Sequence, residues 1–203
     1  MAEDVTVRFC DEFDAGFGWI VDDELIRRTS HALVVDRRVW VIDPVDADGV
    51  EAPIRAAGEP AGVIQLLDRH GRDSRALAER LGVPLHVVPV EPISGAPFEF
   101  VVVRKGRWWK EVALWWCERR VLVVADALGT VGYFVAAGER IGVHPLLRPI
   151  PPRRLGNVRP RIVLCGHGEG VFTDADAAVR EALRTSRRRI PKILGGFVRA
   201  PHR

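Results

Sequence analysis

Three residues, Asp73, Asp126 and His167, carry the oxygen and nitrogen donors that hold a hard or borderline divalent cation. Each lies downstream of an apolar run. Asp73 follows Val63-Ile-Gln-Leu-Leu67 across the polar loop Asp68-Arg69-His70-Gly71-Arg72, Asp126 follows Val121–Ala125, and His167 follows Arg161–Leu164. Runs of this kind read as buried strands. The candidates therefore stand at strand ends, where a site is assembled from segments distant in sequence. Arg69 adds a fixed positive charge. A guanidinium has no free lone pair for a metal, but its fork of donors suits carboxylates and phosphates. Arg69, Asp73, Asp126 and His167 form the candidate binding site, with Asp73, Asp126 and His167 as its metal ligands. No catalytic residue can be assigned.

The elements that must position these residues read as two β-rich halves, about 1–95 and 96–190, in a single domain of 203 residues. Strands are expected at Val5–Phe9, Gly18–Val21 and in a hairpin of His31–Val35 and Val39–Ile42, and a helix around Val50–Ala57. The strand Val63–Leu67, a helix from Asp73 to Leu81 closed by Gly82 and Pro84, and the strand Leu85–Val88 give a β-α-β rhythm. The second half restarts with strands at Phe98–Val103, Glu111–Trp116, Val121–Ala125 and Arg161–Leu164, then a helix capped at Thr173-Asp174.

Composition excludes several classes. Hydrophobic residues at 47% and charged residues at 28% describe a globular chain rather than a disordered one. A net charge of +3 does not imply nucleic-acid binding, and the basic segment from Arg184 to Arg203 reads as solvated. The three cysteines, Cys10, Cys117 and Cys165, form no CxxC pair, which excludes a disulfide framework and a thiolate zinc knuckle. The acidic start lacks an apolar signal core, and Val121–Gly138 carries Asp126 and glycines inside an otherwise apolar stretch; a cytoplasmic chain without a membrane span is expected.

The order of four segments resembles the metallo-β-lactamase superfamily. His31-Ala-Leu-Val-Val with Val39-Trp-Val-Ile-Asp43-Pro44 is similar to its opening hairpin. Asp68-Arg69-His70-Gly71-Arg72-Asp73-Ser74 lies where that family has its HxHxDH metal motif. Asp126-Ala127-Leu128 is similar to GDxL, whose aspartate bridges two metals, and Gly166-His167-Gly168 to GHG, whose histidine is a ligand. The resemblance implies an α/β fold, an αββα sandwich, and a hydrolase-like activity with zinc as cofactor.

The chain departs from that pattern at the metal motif. In register, the motif's histidines are Arg69, Gly71 and Ser74, only its aspartate is kept as Asp73, and a further histidine falls near Arg107. Two zinc ions are not expected; none, or a single divalent metal, is. The function this implies is a degenerate member of the fold, at most a weak or altered one-metal hydrolase, or else a non-catalytic protein that binds a small anion.

Each candidate has a structural reading beside the functional one. Asp73 is a ligand or a helix cap; Asp126 bridges a metal or balances Arg69; His167 is a ligand or bonds a neighbouring backbone group. Arg69, if it replaces a cation among buried carboxylates, is costly to remove. His70 is expected to point outward, although an altered site of His70, Asp73 and His167 stays open. His31, His86, His144 and His202 read as structural or surface residues. In the pairs Trp108-Trp109 and Trp115-Trp116 one residue of each is expected in the core and the other outside, where it offers a cleft wall or a homodimer contact.

Overall fold

The computed structural model describes residues 6–22 and 25–191. In chain order the elements are β1 (Arg8–Phe13), β2 (Gly16–Ile20), β3 (Thr29–Val35), β4 (Arg38–Ile42), α1 (Glu51–Ala57), β5 (Glu59–Gln65), α2 (Ser74–Leu81) and β6 (Leu85–Val87). They continue as β7 (Glu99–Lys105), β8 (Lys110–Trp116), β9 (Val121–Val124), β10 (Leu128–Gly129), β11 (Gly142–Val143), β12 (Ile162–Cys165) and α3 (Ala175–Thr185).

Strands β1 to β6 form one sheet in sequence order, and β12-β9-β8-β7 form the other. The hairpin of β3 and β4 turns through Asp36 and Arg37, both at positive φ (48° and 63°), the mirror-image turn geometry that matches strand twist. Alternation along β4 then sorts its side chains. Val39 and Val41 face a helix layer with Ile54 of α1 and Leu77, Ala78 and Leu81 of α2. Trp40 and Ile42 face the second sheet, where Trp40 meets Phe98 edge-on at 6.0 Å and Phe98 meets Trp116 at 5.6 Å. Helix α3 buries Val179 and Ala182 against the second sheet, completing an αββα sandwich.

Several local expectations are corrected. Trp115 and Trp116 are both buried, because β8 is a central strand of a sheet covered on both faces; neither offers a dimer contact. The carboxylate of Asp174 does not cap α3. Within the basic segment Arg184, Arg187 and Arg188 are exposed, whereas Arg189 is largely covered, its side chain 17% exposed and its Nη1 donating to the Ala137 carbonyl (2.9 Å). Lys192, Arg199, His202 and Arg203 lie outside the described residues, as does Val5. Among the described residues no helix is long and apolar enough to cross a membrane.

Candidate metal centre

Strands β9 and β12 run parallel with Val124 beside Cys165, so the residues two places further on, Asp126 and His167, emerge side by side. The turn after Cys165 is fixed by backbone bonds: Gly166 N–H donates to Val124 O (2.8 Å) and Gly168 N–H to Arg27 O (3.0 Å). Gly168 has φ +87°, and a Cβ there would lie 2.3 Å from Thr130 Oγ1, so only glycine fits. The loop after β5 is brought to the same edge by bonds between the sheets, Val112 N–H to Leu66 O (2.9 Å) and Asp68 N–H to Lys110 O (3.0 Å). Arg72 then anchors it. Its guanidinium donates to the carbonyls of Thr29 (2.8 Å), Asp43 (2.8 Å) and Gly166 (2.9 Å), one strand or loop each.

The result is a triangle of His70 Nε2, His167 Nε2 and Asp126 Oδ1. The nitrogens lie 2.9 and 3.0 Å from the oxygen and 3.4 Å from each other. His167 Nδ1 is 2.8 Å from the Ile26 carbonyl, which can only accept, so Nδ1 holds the proton and Nε2 presents a lone pair. His70 Nδ1 faces the Asp43 carboxylate at 3.3 Å, so the neutral ring keeps its proton there and the charged ring donates from Nε2 to Asp126 as well. Asp126 Oδ1 is buried without a hydrogen-bond partner. With both rings neutral, three acceptors converge in a group that could hold a metal ion; with His70 charged, its Nε2–H donates to Asp126 instead. Donors about 2.0–2.2 Å from a tetrahedral zinc ion are about 3.3 Å apart, close to the separations here. The Asp43 carboxylate and Ile26 carbonyl hold the two rings from behind, as a metal-binding role of those rings would require.

Charge is arranged accordingly. Burial raises the Asp126 pKa, but His167 and His70 outweigh it and hold the carboxyl well below the usual range. Burial and Arg72 oppose charging His70, but Asp126 and Asp43 prevail and raise its pKa. A proton therefore competes with a metal for this triangle. Behind it sits Glu111, fully buried, with its pKa pushed up to about 7 by burial and by Asp126. Its Oε1 accepts from the amides of Asp126 (3.0 Å) and Ala127 (2.8 Å), and its Oε2 from Trp109 Nε1 (2.7 Å). The other face of the site is Arg69: Nη2 is 3.5 Å from Asp126 Oδ2, and Cζ stands 4.2 Å from the centre of the Trp109 ring. Trp109 meets His144 edge-on at 4.9 Å, whose pKa burial pulls down to about 4.

No family model matches the sequence, and no curated protein compared with it does. Solved structures do. The DIM-1 metallo-β-lactamase exposed to ceftazidime superposes with a TM-score of 0.60 at 12% identity, over 92% of this chain and 99% of that one. A metallo-β-lactamase from Pontibacter korlensis gives 0.63 at 10% identity, over 88% and 99%. An NDM/FIM-1-like metallo-β-lactamase from Erythrobacter litoralis in its mono-zinc form gives 0.60 at 10%, over 93% and 100%. This chain has the metallo-β-lactamase fold.

Within the metallo-β-lactamase fold, the structure brings together three of the four residues picked from sequence: Arg69, Asp126 and His167. Asp73 is elsewhere. Its Oδ2 accepts the Asp46 amide (2.9 Å), so it neither joins the triangle nor caps α2 with its side chain. His70 points inward, contrary to expectation, because the Arg72 anchor and the bond from His70 N–H to Leu67 O (2.9 Å) turn the loop. Arg107 stays outside, stacked on Trp108 at 5.1 Å; Trp109 is the residue of that loop that reaches the site. Glu111 and His144 escaped sequence reading. For Glu111 there was a signal: an acid opening the apolar run Glu111-Val-Ala-Leu-Trp-Trp must find donors if the run is buried.

Proposed function

We propose that this chain holds one divalent cation, zinc by the nature of its donors, at His70, Asp126 and His167, and acts as a one-metal hydrolase on a small anionic substrate gripped by Arg69. The observation that carries the reading is the triangle of acceptors, whose two imidazoles spend their N–H groups on Asp43 and Ile26. The superposed lactamase in mono-zinc form supports a single metal as compatible with the fold. A bound cation of this kind supplies Lewis acidity toward a substrate oxygen and acidifies water.

The chain's own residues do the rest. Asp126 divides its oxygens, Oδ1 toward the cation position and Oδ2 toward Arg69, so a guanidinium stands where the fold's resemblance implies another metal. Trp109 holds the Arg69 plane by stacking, and Glu111 fixes both Trp109 and the Asp126 backbone. Arg69 then orients a carboxylate or phosphate oxygen by paired hydrogen bonds.

The test is metal stoichiometry after desalting, followed by zinc titration calorimetry of chelator-treated protein. One equivalent is expected, lost in His167→Ala and His70→Ala and retained in Asp73→Ala. Two equivalents, none, or dependence on Asp73 would overturn the site. Zinc-dependent turnover of anionic aryl esters, abolished in Arg69→Ala, is expected of a hydrolase; binding without turnover leaves an anion-binding protein instead.

A further inference from the structure

Strands β9 and β12 run parallel, and Asp126 and His167 follow their far ends. At their starts, Val121 and Ile162 floor a cavity of about 460 Å³ that Phe13 of the first sheet also lines. That volume lies within the ~300–1,000 Å³ of small-molecule sites. Local bonding builds its walls. Val163 and Val171 exchange N–H···O bonds (3.0 and 2.7 Å), which sets Phe172 opposite Ile162. The Phe172 ring meets that of Phe13, at the end of β1, at 6.4 Å. Arg119 Nη1 donates to Asp14 Oδ2 (2.6 Å), a tie between the turn after β8 and the turn after β1. The Arg120 carbonyl accepts the amides of Arg161 (2.7 Å) and Ile162 (3.2 Å), so the residue that opens β12 lies against the turn that carries Glu118. Arg161 and Glu118 both line the cavity. Among the described residues neither of their side chains has a hydrogen bond or an ion pair, with each other or with any neighbour. A cation and an anion without partners thus share one cavity with two phenyl rings.

We propose that this cavity binds a free amino acid with an apolar side chain. Its carboxylate meets Arg161, its ammonium meets Glu118, and its side chain lies against Phe13 and Phe172. Charge selects the class. A guanidinium fork takes a carboxylate through paired hydrogen bonds. A simple anion there would set like charge beside Glu118, and a simple cation would do the same beside Arg161. A zwitterion satisfies both, and in a longer peptide the two charges stand at opposite ends of the chain. Arg119 does not compete for the carboxylate, because Asp14 already holds it. The rings and the Val121–Ile162 floor then reward a ligand that brings apolar surface of its own. The site uses none of Arg69, His70, Asp126 and His167, so it stands apart from the metal reading.

The experiment titrates full-length protein calorimetrically with leucine and with three probes that each lack one feature. Glycine lacks the apolar side chain, N-acetylleucine the ammonium and leucinamide the carboxylate. Leucine is expected to bind about tenfold or more tightly than each of them. Arg161→Gln and Glu118→Gln, both at exposed positions, are each expected to weaken leucine by about tenfold. Arg161→Gln should not weaken leucinamide, nor Glu118→Gln N-acetylleucine, since each probe already lacks the group that the lost side chain would hold. Phe172→Ala is expected to weaken leucine by about threefold or more. Chelator treatment should leave leucine affinity unchanged. The absence of leucine binding at millimolar concentration overturns the proposal. So does N-acetylleucine or leucinamide binding as tightly as leucine, or leucine affinity that survives Arg161→Gln. Leucine binding that is lost with chelation, or with His167→Ala, also overturns it, because the ligand would then sit at the other end of the strands.

Discussion

Two of the arginine–carboxylate clusters among the described residues differ in how complete they are. Arg148 and Glu139 pair at 2.6 Å with side chains only 1% exposed. Arg148 Nη2 also donates to Phe134 O (2.6 Å), Ser186 Oγ donates back to Arg148 O (3.2 Å), and Glu139 Oε2 accepts the Ala136 amide (2.7 Å). That cluster pairs both Glu139 oxygens, leaves the Arg148 Nε donor without a partner, and stitches the 134–148 segment to the end of α3. Arg69 and Asp126 are 3.5 Å apart, Arg69 is half exposed, and Asp126 Oδ1 faces the Nε2 atoms of His70 and His167. Residue type is shared and burial is not: the Arg148–Glu139 pair is enclosed, whereas Arg69 opens to solvent and its pair with Asp126 is long. The buried pair of His31 Nε2 and Asp11 Oδ2 (3.1 Å), whose other oxygen Oδ1 accepts the Gly170 amide (2.8 Å), falls with the structural kind.

The contrast is broken most directly at Arg148. Arg148→Ala removes the nearer cation from the buried Glu139 carboxylate and leaves it the longer Arg189 pair (Nε to Oε1, 3.4 Å), which costs on the order of 3–5 kcal/mol, read as the shift in urea unfolding free energy. A loss below about 1 kcal/mol would mean the cluster is no more structural than an exposed pair.

His144 tests the wall between the clusters. A histidine whose folded pKa is about 4 is protonated more readily in the unfolded chain. Its contribution is therefore present above the unfolded value near 6.5 and is lost as pH falls toward 4, up to about 3 kcal/mol. His144→Asn keeps an acceptor for the Leu146 amide and removes the titration. Unfolding free energies at several pH values between 7 and 4 should fall less steeply in the variant; identical slopes would place His144 in an environment unlike the one described.

How far the sequence discloses these clusters follows from the physics of each residue. Alternation and apolar runs determine strands, so β3, β4, β8, β9 and β12 were legible, and with them Asp126 and His167, which need only a parallel pair ending together. His70 was not, because a loop has no periodicity. Its direction comes from Arg72, a residue at φ +37° bonding carbonyls 29, 43 and 166, none of them near in sequence. Asp73 was read correctly as preceding α2, but which amide its carboxylate would find depended on Asp46 arriving from another loop. For the same reason its removal should be modest. Asp73→Ala leaves the half-buried Asp46 amide short of a partner, at a cost of about 1 kcal/mol with zinc stoichiometry intact.

The smallest stability effect belongs to Arg69, and it sharpens the comparison most. A guanidinium buried in place of a metal would be costly to lose, as the sequence led one to expect. The structure corrects this: Arg69 is 47% exposed and its ion pair is long, so solvent already screens it. Arg69→Ala is expected to change unfolding free energy by less than about 1 kcal/mol. Its effect should appear in binding, with opposite signs for opposite charges. Removing a fixed positive charge beside Asp126 strengthens cation binding, so zinc affinity should rise by roughly two- to tenfold at low salt, and less at high salt. Phosphate affinity should fall in the same variant, because the paired donors are gone. If zinc affinity instead drops along with stability, Arg69 belongs with Arg148 as a structural residue, and the distinction between the two clusters fails.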